Sequence, residues 1–137
     1  MKIIKNVDDF LKPEFKFAIL GINNNREKYA FWLFLEMLEK KLVVFPISSE
    51  ETKIQDQPAF PNFKLCPQFP DVIIFAFEKK VSDENYLNFL REMRDVGIKK
   101  AIFLPDQVTK VIKVFCQMNF IEFTIIDLRK ILGDKIL

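Results

Sequence analysis

The chain contains no histidine among its 137 residues. Histidine is the commonest general base near neutral pH and the commonest metal ligand, so acid–base chemistry here must manage with Asp, Glu, Lys, Tyr or Cys. Glycine is nearly as scarce, with three residues. A G-x-x-x-x-G-K-[ST] phosphate loop is absent, and the full G-x-G-x-x-G dinucleotide fingerprint cannot be assembled. The two cysteines, Cys66 and Cys116, are far apart and form no Cys-x-x-Cys pair. They read as reduced thiols, not a disulfide framework or a zinc site. No apolar run approaches the roughly 20 residues that span a bilayer, and the opening MKIIKNVDDFLK turns acidic before a signal-peptide core forms. Neither charge dominates: 21 basic against 19 acidic residues give +2, without the basic stripe of a nucleic-acid binder. These absences point to a cytoplasmic protein without a membrane or nucleic-acid partner.

What is present is apolar surface. Half of the residues are hydrophobic and sixteen are phenylalanine, enough for one compact domain over residues 1–137. Asn6 is placed to cap a short helix through Asp8, Asp9, Phe10 and Leu11, ended by Pro13. A continuous apolar run predicts a strand at Lys16–Leu20, of the kind buried on both faces. A helix is expected over Glu27–Lys40, capped by Asn24 with Glu27 three residues on, its Ala30, Leu33, Phe34, Met37 and Leu38 facing a sheet. A second strand follows at Leu42–Pro46. Residues 47–70 are proline-rich and predict an irregular connection with at most one edge strand, near Ala59 and Phe60.

The alternation then resumes. It predicts a strand at Val72–Phe77, a helix Asp83–Val96 capped by Ser82 and closed by Gly97, and a strand Lys100–Leu104 stopped by Pro105. Next come a helix Gln107–Met118 burying Val108, Val111, Ile112 and Phe115, a strand Glu122–Ile126, and a short C-terminal helix with Gly133 near its cap. The helix Asp83–Val96 carries Tyr86, Phe89, Leu90 and Met93 on one face. Strands alternating with helices imply an α/β domain with a mostly parallel sheet of five to six strands and helices on both faces. Ligands of such sheets bind beyond the strands' carboxyl ends, where strand order reverses. With the first strand central, that place is Gly21–Arg26.

The stretch FAILGINNNREKYA therefore becomes the candidate site. Unpaired N–H groups near a helix N-terminus attract phosphate. Gly21 permits close backbone approach, and Asn23, Asn24 and Asn25 tolerate left-handed angles while adding amide donors. Arg26 and Lys28 add positive charge. The competing reading is an ordinary polar turn with a helix cap. NAD is disfavoured, because Asn23 and Arg26 stand where later glycines belong and the second strand ends Pro46-Ile47-Ser48-Ser49, with no acid before Glu50 and Glu51.

In order and spacing, FAILGINNNREKYA, VVFPISS, IQDQPAF, PDVIIFAF and GIKKAIF resemble the CoA-binding domain family, the Rossmann-like domain also found at the front of the succinyl-CoA synthetase alpha subunit. The resemblance covers nearly the whole chain. It implies a Rossmann-like three-layer fold and a nucleotide-type ligand, CoA or acyl-CoA, with the diphosphate over Gly21, Ile22 and Asn23 and the adenosine end near Pro46, Ile47 and Ser48. A carboxylate at that strand end would repel the ligand's ribose phosphate, and Ser48 would not. The chain departs from the family pattern at several places. Asn23 replaces a serine, Lys28 aligns with the loop arginine, and Ala30 with a serine. Glu78 and Lys79 stand where arginine is usual, and Asp127-Leu128-Arg129 replaces Asp-Arg-Cys.

No residue stands out as catalytic. Cys116 has no histidine partner and reads as a buried thiol; Asp71, Asp106 and Asp127 sit at strand boundaries, where turn and capping roles predominate. The phenylalanines read as core. Trp32 falls with Lys28, Glu36 and Glu39 on the helix face away from the sheet, with Phe31 and Leu35 alongside. That outer apolar face supports an alternative, a degenerate domain acting as a protein-interaction module, and offers a homodimer contact through the helix bearing Trp32; the competing reading is that the N-terminal segment folds over it.

Overall fold

A computed structural model describes residues 7–77 and 81–128. The elements run β1 (Lys16–Leu20), α1 (Tyr29–Glu39), β2 (Val43–Pro46), β3 (Lys53–Ile54), β4 (Gln57–Pro58), β5 (Val72–Phe75), α2 (Asp83–Val96), β6 (Lys100–Phe103), α3 (Lys110–Met118) and β7 (Glu122–Ile125), with short 3-10 turns at Val7–Asp9 and Phe63–Leu65. Five strands form one parallel sheet in the order β2-β1-β5-β6-β7. β1 is thus an interior strand but second from the edge, with β5 in the middle, and the order reverses between β1 and β5.

Alternate strand residues feed two cores, as a sheet buried on both faces requires. Phe17 and Ile19 of β1, Val72 and Ile74 of β5 and Ile102 of β6 pack with α1, Phe10, Leu11 and Leu128. Ala18, Leu20, Ile73, Phe75, Ala101 and Phe103 pack on the other side with α2, α3 and Phe63. The three layers of the expected α/β Rossmann-like fold are these two helical layers and the sheet between them.

All three α-helices described end the same way. A residue just past each helix takes left-handed angles, at Lys41 (φ 63°), Gly97 (φ 86°) and Phe120 (φ 56°). The next N–H reaches back to a helix carbonyl: Leu42 to Met37 at 3.1 Å, Ile98 to Met93 at 2.8 Å, Ile121 to Cys116 at 2.9 Å. Leu42, Ile98 and Ile121 are then buried, which locks each chain reversal into the core. Only Gly97 announced this in the sequence.

Several boundaries differ from expectation. α1 starts at Tyr29 rather than Glu27, with Lys28 at the cap position and no side-chain capping bond; Asn24 is occupied elsewhere. α3 starts at Lys110, where the Thr109 hydroxyl accepts the Ile112 N–H and donates to Asp83 at 3.0 Å. That start orients the helix on Ile112 and Cys116, so Val111 is exposed instead of buried. Ser82 caps α2 as expected, accepting the Asn85 N–H at 3.2 Å. The proline-rich connection holds a β3–β4 hairpin that its composition did not predict, while Phe60 does bridge Ile47 in parallel. The expected Asn6 cap, the Glu78 and Lys79 positions, Arg129 and the helix near Gly133 lie outside the described residues.

Candidate functional site

β1 runs out at Leu20 into Gly21, directly at the reversal of strand order. Gly21 has φ 84°, and a Cβ there would stand 2.9 Å from the backbone C and O of Ala76 and from Cδ1 of Phe77. The glycine is therefore demanded twice by the fold itself, through its left-handed angle and through the close approach of the segment after β5. Beyond it opens a cleft of about 410 Å³, lined by Gly21, Ile22 and Asn23 on one side and Ile47, Ser48, Ser49 and Glu50 on the other. Pro61, Phe77 and Phe89 complete its wall.

Five of the ten residues proposed from sequence line this cleft: Gly21, Ile22, Asn23, Ile47 and Ser48. Ile22 does so while its side chain is buried in the α1-side core. The Asn23 carboxamide oxygen accepts the Asn25 N–H at 2.9 Å, and the Asn25 carboxamide oxygen accepts the Glu27 N–H at 2.9 Å. Successive turns of this kind lead the chain to α1 without glycine. Ser48 Oγ accepts the N–H groups of Glu50 and Glu51 at 3.2 and 3.0 Å, so its hydroxyl proton is left to donate outward.

The other five are not at the lining. Asn24 turns to the β3–β4 hairpin, donating to Glu51 Oε2 at 2.7 Å and the Lys53 carbonyl at 2.9 Å, and accepting from the Gln55 N–H at 3.1 Å. Asn25 serves the turn. Arg26 reaches Gln55 Oε1 at 3.4 Å and lies over the Phe31 ring, 5.4 Å from its centroid. Lys28 occupies the α1 cap position. Pro46 is buried within β2, its carbonyl accepting the Phe60 N–H at 2.9 Å. The Arg26 charge expected beside the cleft is thus directed toward the hairpin.

Sequence reasoning missed Glu50, Pro61, Phe77 and Phe89. The phenylalanines read as core in the sequence, yet Phe77 and Phe89 emerge from an aromatic cluster with Tyr86 and Phe75 to wall the cleft, the Phe77–Phe89 centroids 6.0 Å apart. Their positions after β5 and on the upper turns of α2 were the available signal. In the sequence Glu50 simply lies past the strand end. The turn held by Ser48 brings it back onto the cleft.

The remaining candidates resolve into structural roles. Lys16 N–H donates to Asp71 Oδ2 at 2.8 Å, and Asp106 sits in a left-handed turn at φ 66°. Tyr29 Oη donates to Asp127 Oδ1 at 2.6 Å, tying the start of α1 to the end of β7. Neither cysteine lines the cleft. Burial pushes the Cys66 thiol up to about 11 and the Cys116 thiol up to about 12, the opposite of an activated nucleophile. Trp32 is 41% exposed, but Phe31 beside it is buried rather than part of an outer patch. The indole N–H donates to the Arg26 carbonyl, so Trp32 also fastens the β1–α1 loop.

Comparison with known proteins adds family and fold. The sequence pattern of the CoA binding domain matches residues 16–124. None of the curated proteins compared matches the chain. Among solved structures, a conserved hypothetical protein from Pyrococcus furiosus is 24% identical, with a TM-score of 0.71 over 81% of this chain and 92% of its own. A Thermus thermophilus structure reaches a TM-score of 0.74 at 10% identity, over 90% and 92%. The apo form of the dinucleotide forming acetyl-coenzyme A synthetase 1 of Ca. Korarchaeum cryptofilum is 14% identical, with a TM-score of 0.68, and this chain covers 88% of itself and 27% of that chain. At these identities the likeness is one of fold.

Proposed function

This chain belongs to the CoA-binding domain family, and we propose from that premise that it binds CoA or an acyl-CoA in the cleft beyond β1, as a binding protein rather than a catalyst. The observation that carries the proposal is the cleft's position: it lies at the strand-order reversal, with Gly21–Asn23 on one wall and Ile47–Ser49 on the other. In this reading the diphosphate lies along the Gly21–Asn23 backbone and the Asn23 amide, where N–H groups are the available donors. The adenosine end rests by Ile47 and Ser48, with the Ser48 hydroxyl donating to the ribose phosphate. Phe77 and Phe89 supply the apolar wall that small-molecule clefts combine with a few polar groups. Support for binding without chemistry comes from the lining, which offers Glu50 as its one titratable group among the described residues.

Glu50 favours one competing occupant, a dinucleotide with an unphosphorylated ribose, whose diol a carboxylate would accept. Titration calorimetry with CoA, ADP and NAD separates the two. CoA should bind at micromolar concentration and NAD at least about tenfold more weakly. The reverse order would replace CoA by a dinucleotide. Absence of heat with all three would remove the nucleotide reading altogether.

A further inference from the structure

Half of the large hydrophobic side chains left exposed among the described residues lie on α3 or directly after it: Val111, Val114, Met118 and Phe120, between 42% and 74% exposed. Val111, Val114 and Met118 are spaced i, i+3, i+7 and share one stripe, turned away from the Ile112 and Cys116 side that enters the core. Phe120 joins them at a cost. It takes the left-handed angle that Gly97 takes after α2, a strained choice for an aromatic residue, and its exposed ring gains little from the core. The described ends of the chain do not cover the stripe: Phe10, Leu11 and Leu128 pack in the α1-side core, across the sheet from α3. No residue of α3 lines the ligand cleft.

We propose that a second copy of this chain covers the stripe, the two α3 helices packing antiparallel about a twofold axis close to Val114. A twofold contact must be self-complementary, and this one is. Val111 lies three residues before Val114 and Met118 four after it. The smaller valine of each copy therefore meets the larger methionine of the other, while the Val114 side chains meet at the axis. Charge selects the same orientation. α2 runs beside α3, joined to it by Asp83–Thr109 at 3.0 Å near one end and Arg94–Asn119 at 3.4 Å near the other. An antiparallel copy turns the Arg94 end of each chain toward the Asp83 end of the other and keeps the two Lys110 side chains a helix length apart; a parallel copy would set like charges together. A strongly charged partner suits this face less, since Arg94 already pairs with Asp95 at 3.1 Å and Glu84 with Arg91 at 3.2 Å. The stripe is small beside the roughly 20–30 residues a side of a standard interface, so the dimer is a weak one, of micromolar affinity.

Sedimentation velocity of the full chain between about 1 and about 200 μM reads the association directly. The wild type should pass from monomer to dimer across that range. Met118→Lys alters an exposed position and should weaken the dimer at least about tenfold with an unchanged circular dichroism spectrum. Phe120→Asn, which keeps a residue tolerant of left-handed angles, should weaken it several-fold. Orientation is read by disulfide trapping in a Cys66→Ser background. Val114→Cys should couple to itself, and Val111→Cys should couple to Met118→Cys faster than either couples to itself. A chain that stays monomeric to about 200 μM overturns the proposal and gives the stripe to a different protein. A dimer as tight with Met118→Lys and Phe120→Asn as without them places the contact on another face and overturns it as well. Val111→Cys coupling fastest to itself contradicts the antiparallel arrangement.

Discussion

Gly21 and Glu50 show how differently two residues of one cleft are constrained. At Gly21 the left-handed angle alone costs a residue with a side chain about 1–2 kcal/mol, and the added Cβ meets Ala76 backbone at 2.9 Å. Gly21→Ala should therefore destabilise the protein by about 2–4 kcal/mol, read as a lower urea midpoint with unchanged slope. An unaltered midpoint would mean the segment after β5 yields freely. Because this glycine is needed for folding, its replacement cannot report on a ligand. Glu50 can. It is exposed, and its N–H rather than its carboxylate makes the bond to Ser48. Glu50→Gln should leave stability within about 0.5 kcal/mol and strengthen CoA binding a few-fold by removing like-charge repulsion. Weaker binding would instead give the carboxylate a contact with the ligand.

At the scale of elements, the β1–α1 loop is held by the β3–β4 hairpin. The hairpin turns through Gln55 and Asp56, both left-handed at φ 48° and 63°, a turn that normally selects Asn-Gly or Asp-Gly. Asn24 stabilises it from outside by binding the Lys53 carbonyl and the Gln55 N–H. Asn24→Ala should cost about 1–2 kcal/mol and speed hydrogen exchange at the Gln55 amide; slow exchange in the variant would show that the hairpin stands alone. The same detail explains what the sequence left unread. Periodicity and apolar runs located β1, α1, β5, α2 and β6 to within a few residues, because those elements are decided locally. The hairpin carries no glycine and an exposed proline, so nothing local marked it. Asn24 had two plausible partners, the helix N-terminus and a hairpin thirty residues on, and sequence distance hid the second. Arg26 looks like cleft charge in the sequence for the same reason; its partner Gln55 is brought near only by the tertiary fold.

For the molecule as a whole, the phenylalanine-rich core on the α2–α3 side buries titratable groups that set its alkaline limit. Burial raises Cys116 from 9.0 to about 12 and Tyr86 from 10.0 to about 12. Between the ordinary and raised values the native state keeps protons that the unfolded chain releases. Stability is therefore fully present below about pH 9 and falls as pH rises toward about 12. Urea midpoints at about pH 8 and about pH 10.5 should differ in that direction, and equal midpoints would mean these groups ionise freely in the native protein. At this scale the fold class and the place of the cleft were both legible, since each follows from strand–helix alternation and an interior first strand; β1 lies beside the middle strand β5 rather than in the middle itself. The content of the cleft was not. The aromatic wall of Phe77 and Phe89 and the return of Glu50 arise from packing between distant segments.

The most direct measurement is calorimetric titration of CoA into the wild-type chain and into Asn23→Asp. Aspartate keeps the oxygen that accepts the Asn25 N–H and so preserves the loop, while it places a negative charge where the diphosphate is proposed to lie. Micromolar binding to the wild type, weakened at least about tenfold in the variant at unchanged stability, is the predicted result. Equal affinities would move the diphosphate away from Asn23, and no binding to the wild type would contradict CoA as the ligand of this cleft.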